Sequence, residues 1–345
     1  MIRIGVLGTS NIAERRMIPA MLKHPEFEYI GVAIATREET GTDCSAEEFL
    51  PIQRRKAEKA KAFALKFGGE TVTGYEDMLK RMDVDAVYIP LPPALHFKWI
   101  MLALQYGKHV ISEKPLTVSD SQSRTAVNEA REKGLALIEN YGFCHHRQMK
   151  LVQERVRDGS IGDLRLIRAS FCFPHREESD FRYNRELGGG ALLDCGGYTV
   201  KAAAAFLGDS SRIISRNLVI TPGHEVDVYG SATMRNEDGL CAQLSFGMDN
   251  SYICELEVLG STGSVKAARA FTAPDGFAAP VLIRRGNETE ERQEADDQFL
   301  ELLTEFRECI MSGDRRIREY EDMLLQSRLV EEIGQGGVYA EARVL

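Results

Sequence analysis

The sequence lacks any uninterrupted apolar run near the roughly 20 residues that a helix needs to cross a bilayer. It also lacks the features of a secretory signal, because an apolar strand pattern begins at Ile2. We therefore expect no membrane partner and predict a cytoplasmic protein.

An excess of positive charge is missing as well. Lysine and arginine total 43 against 52 aspartates and glutamates, which gives a formal net charge of -9. Binding to the phosphates of nucleic acids needs a basic face, so no nucleic-acid partner is expected.

The seven cysteines include no pair at the spacing of a zinc or redox motif. An odd number of scattered cysteines without a signal peptide indicates reduced thiols. The adjacent His145 and His146 point apart and have no apparent third ligand, so we predict no metal site.

Strand and helix patterns alternate in the first part of the chain. Four apolar runs have the length of buried parallel strands: Ile2–Leu7, Tyr29–Ala35, Ala86–Ile89 and His109–Ser112. Helical spacing follows at Ala13–His24, Lys56–Phe67 and Leu95–Tyr106. This alternation predicts a parallel sheet covered by helices. The charged stretch 38–55 looks like an insertion, and no role is assigned to it.

After about residue 140 the pattern changes to longer strands separated by turns. They are Leu164–Phe173, Ile213–Ile220, Val226–Met234, Leu240–Met248, Tyr252–Leu259 and Val281–Arg285. Several alternate apolar and polar residues, as half-exposed antiparallel strands do. Amphipathic helices are predicted at Phe299–Met311 and Tyr320–Glu332. We therefore predict an α/β domain at 1–122 and an α+β domain at 123–345. The C-terminal helix of the second domain could pack against the first domain.

A short loop follows the first strand and fits the pattern G-x-G-x-x-A, with serine at the second glycine. Gly8 permits a tight turn and Ala13 permits close packing of helix on strand. Backbone N–H groups at such a helix start bind a pyrophosphate. The residues expected at a dinucleotide are Gly8, Thr9, Ser10, Asn11 and Ile12. The alternative is an ordinary strand-to-helix turn.

In dinucleotide-binding domains, the residues at the end of the second strand contact the adenine ribose and indicate which cofactor binds. An acid there binds the 2′-hydroxyl of NAD, whereas an arginine suits the 2′-phosphate of NADP. Thr36 and Arg37 occupy this place, and Glu38 and Glu39 come slightly too late. We therefore favour NADP(H) over NAD(H), with both residues as cofactor ligands.

A Glu113-Lys114-Pro115 turn follows the strand His109–Ser112. In open α/β sheets, ligands bind outside the carboxyl ends of the strands. Lys114 is therefore predicted to lie where a cofactor and a substrate meet. The alternative is a surface turn.

With these residues placed, the sequence resembles the glucose–fructose oxidoreductase/inositol dehydrogenase (Gfo/Idh/MocA) family. The resemblance covers nearly all of the chain except 38–55. It rests on the Gly8 loop, the Glu113-Lys114-Pro115 turn, and the segments 90–96 and 188–198. Within the family, the chain is most similar to NADPH-dependent 3-ketoreductases of dTDP-linked deoxysugars. The resemblance implies a Rossmann domain, a C-terminal domain with a large, mostly antiparallel open sheet, and a homodimer or homotetramer.

The resemblance also implies three catalytic residues: Lys114, Asp194 and Tyr198. Tyr198 would protonate the developing alkoxide. Lys114 would polarise the carbonyl and favour loss of the phenolic proton. Asp194 would bind a substrate hydroxyl or orient Lys114. The alternatives are packing for Tyr198 and an N-cap of a helix over Thr199–Phe206 for Asp194.

Further cofactor contacts are expected at Leu91, Pro92, His96, Glu113, Lys114, Asn140 and Arg182. Alternatives remain for three of them. His96 could cap a helix or lie on the surface, Glu113 could belong to a surface turn, and Arg182 could be solvated.

Together with these residues, the resemblance implies reduction of a keto-sugar by hydride transfer with proton transfer from Tyr198 and Lys114. The substrate that it favours is a dTDP-linked deoxysugar reduced at C3. The alternatives are an NAD(P)-dependent dehydrogenase of a free sugar or cyclitol, and a non-catalytic NAD(P)-binding regulator.

Overall fold

The computed structural model describes residues 1–40 and 45–335, and the chain divides into two compact units. The first consists of Met1–Thr117, Ser121–Asn140 and Leu302–Met323. The second consists of Val118–Asp120, Tyr141–Glu301 and the described residues 324–335. None of the described helices is long and apolar enough to cross a membrane.

The first unit contains a six-stranded parallel sheet. Its strands are β1 (Ile2–Leu7), β2 (Phe27–Ile34), β3 (Glu70–Thr73), β4 (Ala86–Ile89), β5 (His109–Ser112) and β6 (Leu137–Glu139). They lie in the order β3-β2-β1-β4-β5-β6, which is the order of a Rossmann sheet. β1, β4 and β5 are apolar runs because helices cover both faces of such a sheet.

The helices between these strands are α1 (Ile18–Lys23), α2 (Ala46–Phe67), α3 (Tyr75–Lys80), α4 (Pro93–Gln105) and α5 (Asp120–Lys133). The helix predicted at Ala13–His24 begins with a π-helical turn over Ala13–Met17. The helix predicted from Lys56 starts already at Ala46, because Ser45 and Glu48 form a reciprocal cap. Much of the stretch 38–55 is therefore helix, and residues 41–44 lie outside the described residues.

The boundary predicted at residue 122 differs from the division by contacts. Most of α5 and all of β6 lie in the first unit, because β6 pairs with β5 as the last strand of the sheet. The segment Leu302–Met323 also belongs to the first unit, where Nε2 of His24 lies 3.2 Å from Oγ1 of Thr304.

The second unit contains an eight-stranded sheet. Its strands are β7 (Leu164–Cys172), β8 (Arg212–Val219), β9 (Tyr229–Arg235), β10 (Cys241–Gly247), β11 (Ile253–Gly260), β12 (Gly263–Ala268), β13 (Ala279–Arg285) and β14 (Glu288–Glu294). They lie in the order β14-β13-β12-β11-β7-β10-β9-β8. Only β7 and β10 pair in parallel, so the predicted mostly antiparallel sheet is confirmed.

The described chain has four more α-helices: α6 (Arg147–Arg157), α7 (Gly197–Leu207), α8 (Gln298–Met311) and α9 (Gly313–Gly334). α6 and α7 pack on the second sheet. Buried residues alternate along β10 and β11, where Leu244, Phe246 and Leu256 face the core. The ring of Phe246 packs against Gly196, where a Cβ atom would lie only 3.1 Å from it.

Replacing Phe246 by alanine is expected to leave a cavity beneath the turn at Gly196. Loss of a buried phenylalanine costs about 3–5 kcal/mol of unfolding free energy. A thermal melt should show a markedly lower unfolding temperature for Phe246→Ala. The control Ile214→Ala, at a side chain that is 46% exposed, should melt close to the wild type. Equal melting of the two variants would contradict this packing.

Candidate active site

The Gly8 loop follows β1 and needs its glycine for two reasons. Gly8 has a φ of 107°, and a Cβ there would lie 3.0 Å from Cδ2 of Leu91 and 3.3 Å from the hydroxyl of Tyr75. Ser10, at the position of the second glycine, uses Oγ to accept the N–H of Ala13 at 3.1 Å. The serine thus caps the first helical turn and keeps the loop at the end of β1.

Lys59 is a residue near this loop that sequence reasoning missed. Its Nζ donates to Oδ1 of Asn11 at 3.0 Å from helix α2. A cation beside a helix start suits a phosphate ligand. Only the packing of α2 brings it there, because 47 residues separate the two positions in the sequence.

The end of β2 lies beside the Gly8 loop, because β1 and β2 are parallel neighbours. The carboxylate of Glu39 accepts the N–H groups of Thr36, Tyr75 and Glu76 at 2.8–2.9 Å. Glu39 is therefore occupied in joining this turn to the start of α3. The side chain of Arg37 is 44% exposed, with Nε 3.7 Å from Glu38. The turn thus presents a guanidinium at the edge of the sheet.

Glu113 is held from both neighbouring strands. The hydroxyl of Tyr88, in β4, donates to its Oε1 at 2.5 Å, and Nδ2 of Asn140, after β6, donates to the same oxygen at 2.6 Å. Burial raises the pKa of Glu113, and these two hydrogen bonds oppose the shift. Glu113 is therefore a fixed group beside Lys114 rather than part of a solvated turn. Tyr88 was not among the predicted site residues.

His96 is held between two backbone carbonyl oxygens, and its predicted contact with the cofactor stays a prediction. The side chain is fully buried, with Nδ1 2.7 Å from the carbonyl oxygen of Pro115 and Nε2 2.7 Å from that of Leu91. Burial lowers its pKa, and the two carbonyl oxygens oppose the shift. His96 thus ties the Leu91-Pro92 loop to the turn after Lys114. It is neither a surface residue nor the cap of α4, which is Pro92.

Asp194 and Arg182 form an ion pair in the second unit. Nε of Arg182 donates to Oδ2 of Asp194 at 2.7 Å, and Nη1 donates to Asp180 at 3.1 Å. Both partners are shielded, with side chains 22% and 11% exposed for Arg182 and Asp194. Arg182 is therefore not a solvated arginine. Its guanidinium, which was predicted to contact the cofactor, donates hydrogen bonds to two carboxylates of the protein.

Asp194 lies in a π-helical turn, Leu192–Gly196, that leads directly into α7. The cap alternative for this residue is therefore wrong, because no side chain caps α7. Tyr198 follows in the first turn of the helix. The extra residue of a π turn changes where these two side chains point relative to an α-helix.

The ring of Tyr198 is surrounded by aromatic side chains. Tyr141 and Phe171 meet it edge-on with centroids 5.0 and 5.1 Å away, and Phe143 and Phe271 lie at 5.8 and 5.9 Å. Nε2 of Gln326 donates to the carbonyl oxygen of Gly197 at 2.8 Å and so fixes the start of α7. These contacts orient the phenol, and a catalytic role for it stays a prediction.

Asp227 supports the glycine segment before Asp194, and sequence reasoning missed it. Its Oδ2 accepts the N–H of Leu192 at 2.7 Å, and its carbonyl oxygen accepts that of Ala191 at 2.8 Å. A Cβ at Gly190 would lie 2.5 Å from its carboxylate. Glycine at 190 therefore admits a carboxylate that fixes the beginning of the π turn.

The structure thus gathers the predicted residues in two groups. In the first unit, the Gly8 loop, Thr36-Arg37, Leu91-Pro92 and Glu113-Lys114 follow the carboxyl ends of β1, β2, β4 and β5, at one edge of the sheet. In the second unit, Arg182, Asp194 and Tyr198 lie around the π turn.

Comparisons with known proteins agree with this architecture. The model of an oxidoreductase family with an NAD-binding Rossmann fold, GFO/IDH/MocA, matches residues 2–141. The model of the GFO/IDH/MocA C-terminal domain matches residues 149–266.

Two curated relatives are dTDP-3,4-didehydro-2,6-dideoxy-α-D-glucose 3-reductases. The protein from Actinomadura kijaniata is 39% identical over 336 residues, which covers 97% of this chain and 95% of the relative. The protein from Streptomyces violaceoruber is 40% identical over 344 residues, with the same coverage.

A solved structure of a 3-ketoreductase from Actinomadura kijaniata, in complex with NADP and TDP-benzene, matches with a TM-score of 0.88. It is 38% identical and the match covers 99% of both chains. That protein has also been solved with one lysine replaced by alanine and with one tyrosine replaced by phenylalanine.

Asp227 makes the stability of the protein depend on pH. Burial raises its pKa to about 6, whereas an aspartate in an unfolded chain titrates near about 3.9. The folded protein therefore holds this proton more tightly, and the stability that it contributes at low pH is lost as the pH rises through about 6.

Asp227→Asn keeps an oxygen for the N–H of Leu192 but does not titrate. In thermal melts, the unfolding temperature of this variant relative to the wild type should rise between about pH 4 and pH 6.5 and then stay constant. Asp209→Asn, at an exposed aspartate, is the matched control and should follow the wild type. A difference that does not change with pH would show that Asp227 does not titrate in this range.

Proposed function

The chain belongs to the Gfo/Idh/MocA family of oxidoreductases, and we propose that it reduces the 3-keto group of a dTDP-linked 2,6-dideoxysugar with NADPH. The observation that carries the proposal is identity of 39–40% with two 3-reductases of that substrate over 97% of the chain. Similarity over the whole length includes both the cofactor edge and the segment around Tyr198.

The positions of Lys114 and Tyr198 support the proposal further. In the solved 3-ketoreductase, the replaced lysine and the replaced tyrosine are separated in sequence by the same number of residues as Lys114 and Tyr198 are here. We infer that these two residues correspond to the pair probed in that relative.

The first unit fits a dinucleotide. The left-handed Gly8 and the cap by Ser10 leave backbone N–H groups at the start of the helix for a pyrophosphate. Arg37 offers a guanidinium for a 2′-phosphate. The carboxylate of Glu39, two residues later, already accepts three backbone N–H groups and is therefore not available to bind a ribose hydroxyl. NADPH, when bound, would supply the hydride for the carbonyl carbon and become NADP⁺.

The protein then has to deliver a proton to the carbonyl oxygen. The phenol of Tyr198, oriented by its four aromatic neighbours, donates that proton, and the ammonium of Lys114 stabilises negative charge on the oxygen. Asp194, held by Arg182, accepts a hydrogen bond from a sugar hydroxyl. Hydride on carbon and proton on oxygen together convert the ketone to the alcohol.

Removing the proton donor is expected to slow the reaction far more than it weakens cofactor binding. Tyr198→Phe should lower kcat by about 10²–10⁴-fold, the usual contribution of a general acid. Its Kd for NADPH should stay within about twofold of the wild-type value, because the substitution removes one oxygen from the second unit. Turnover is followed by NADPH absorbance with the dTDP-linked 3-ketosugar generated in situ.

The matched control is Tyr252→Phe, which removes a hydroxyl from a tyrosine that is 45% exposed and should leave kcat unchanged. Lys114→Ala should lower kcat strongly as well. If Tyr198→Phe turns over at the wild-type rate, Tyr198 is not the proton donor. If the wild type oxidises free sugars but leaves the nucleotide-linked ketone untouched, the proposed substrate is wrong.

Cofactor selectivity is expected to depend on Arg37. Loss of a charged hydrogen bond to the 2′-phosphate costs about 1.5–3 kcal/mol, so Arg37→Ala should weaken NADPH binding by roughly tenfold or more. NADH lacks this phosphate, and its affinity should change little. Calorimetric titration of both cofactors measures the ratio. Arg165→Ala, at an exposed arginine of the second unit, is the control. An unchanged ratio of the two affinities would remove Arg37 from the cofactor site.

A further inference from the structure

Three potential metal ligands meet in the second unit outside the residues proposed for catalysis. His175 and Glu178 lie in the loop after β7, and His224 lies in the loop between β8 and β9. One ligand atom from each lies within 4.8 Å of the others. We call these three residues the His175 cluster.

The spacing of the cluster suits a small divalent ion. Nε2 of His175 lies 3.0 Å from Oε1 of Glu178, and Nε2 of His224 lies 3.7 Å from Oε2. Metal–ligand bonds of about 2.0–2.2 Å place neighbouring ligand atoms roughly 3–3.5 Å apart. The three ligand atoms lie within 4.8 Å of one another, so the side chains have to move closer together to share one ion.

The other nitrogen of each imidazole already has a hydroxyl partner. Nδ1 of His224 lies 3.0 Å from Oγ1 of Thr221, and Nδ1 of His175 lies 3.2 Å from the hydroxyl of Tyr183. Tyr183 can donate its own proton to the carbonyl oxygen of Met248 at 3.3 Å and accept from His175. Metal-binding histidines use such outer bonds to hold the proton on one nitrogen and present the lone pair of the other.

One ligand atom is left unsatisfied. Nε2 of His224 is buried from solvent and has no hydrogen-bond partner among the described residues, although it faces the carboxylate of Glu178. A buried polar atom without a partner is costly and indicates a missing proton, water or ion. An ion bound between Nε2 and the carboxylate would satisfy it and would take the place of the 3.0 Å hydrogen bond between Nε2 of His175 and Oε1 of Glu178.

We propose that His175, Glu178 and His224 bind one zinc-class divalent ion, with water in the remaining position. Two histidines and one carboxylate are a known ligand set for such ions. The ion fastens the loop after β7 to the loop that leads into β9. The first loop continues to Arg182, the partner of Asp194, and the second contains Asp227, which holds Leu192. The site goes beyond the proposed reduction and does not depend on it.

Cobalt(II), whose visible absorption reports nitrogen and oxygen coordination, is the probe for this site. Chelator-treated, full-length protein should bind one Co²⁺ per chain, and Zn²⁺ should displace it. His175→Ala, His224→Ala and Glu178→Gln should each weaken binding by at least tenfold. Glu178 is 76% exposed, so its variant should fold normally, which circular dichroism can check.

The matched control is Glu177→Gln, at the neighbouring exposed glutamate, which should bind Co²⁺ as the wild type does. Zn²⁺ should also raise the unfolding temperature of the wild type and of Glu177→Gln, but not that of Glu178→Gln. Absence of Co²⁺ binding by the wild type at millimolar metal would overturn the proposal. Binding that is unchanged in all three cluster variants would overturn it as well.

Discussion

The parallel pairing of β1 with β2 on one side and β4 on the other is the constraint on which the first unit depends. The carboxyl ends of parallel strands lie at the same edge of a sheet, so residues far apart in sequence lie close together along that edge. The Gly8 loop, the Thr36-Arg37 turn, the Leu91-Pro92 loop and Lys114 all follow such ends. Buried hydrogen bonds then hold these loops in place. Glu39 joins the turn after β2 to the start of α3 by three hydrogen bonds, and His96 joins the Leu91-Pro92 loop to the turn after Lys114.

In the second unit, close packing around glycine has the corresponding role. Gly190 leaves room for the carboxylate of Asp227, and Gly196 leaves room for the ring of Phe246. Between them runs the π turn that carries Asp194. A side chain at either glycine would displace the turn, and with it the start of α7 where Tyr198 lies. The glycine-rich segment is therefore a packing requirement that also determines where potential catalytic groups point.

The contact partners of several residues could not be predicted from the sequence. His96 and Arg182 were recognised as notable, yet their partners were not, because a pattern of residue types does not say which carbonyl or carboxylate a side chain meets. Asp227, Tyr88, Gln326 and Lys59 were missed altogether. Each acts through contacts with residues distant in sequence. The prediction of a homodimer or homotetramer rests on sequence alone.

The sequence by itself determined the alternating strands and helices, the mostly antiparallel second sheet and the family, because periodicity and short glycine and lysine motifs are local properties of the chain. Only the tertiary structure decided that His96 is buried between two carbonyl oxygens, that Asp194 is paired with Arg182, and that His175, Glu178 and His224 meet. Each of these contacts joins a side chain to a group outside its own helix, turn or loop. Their partners are chosen by sheet pairing and packing, which no local pattern contains.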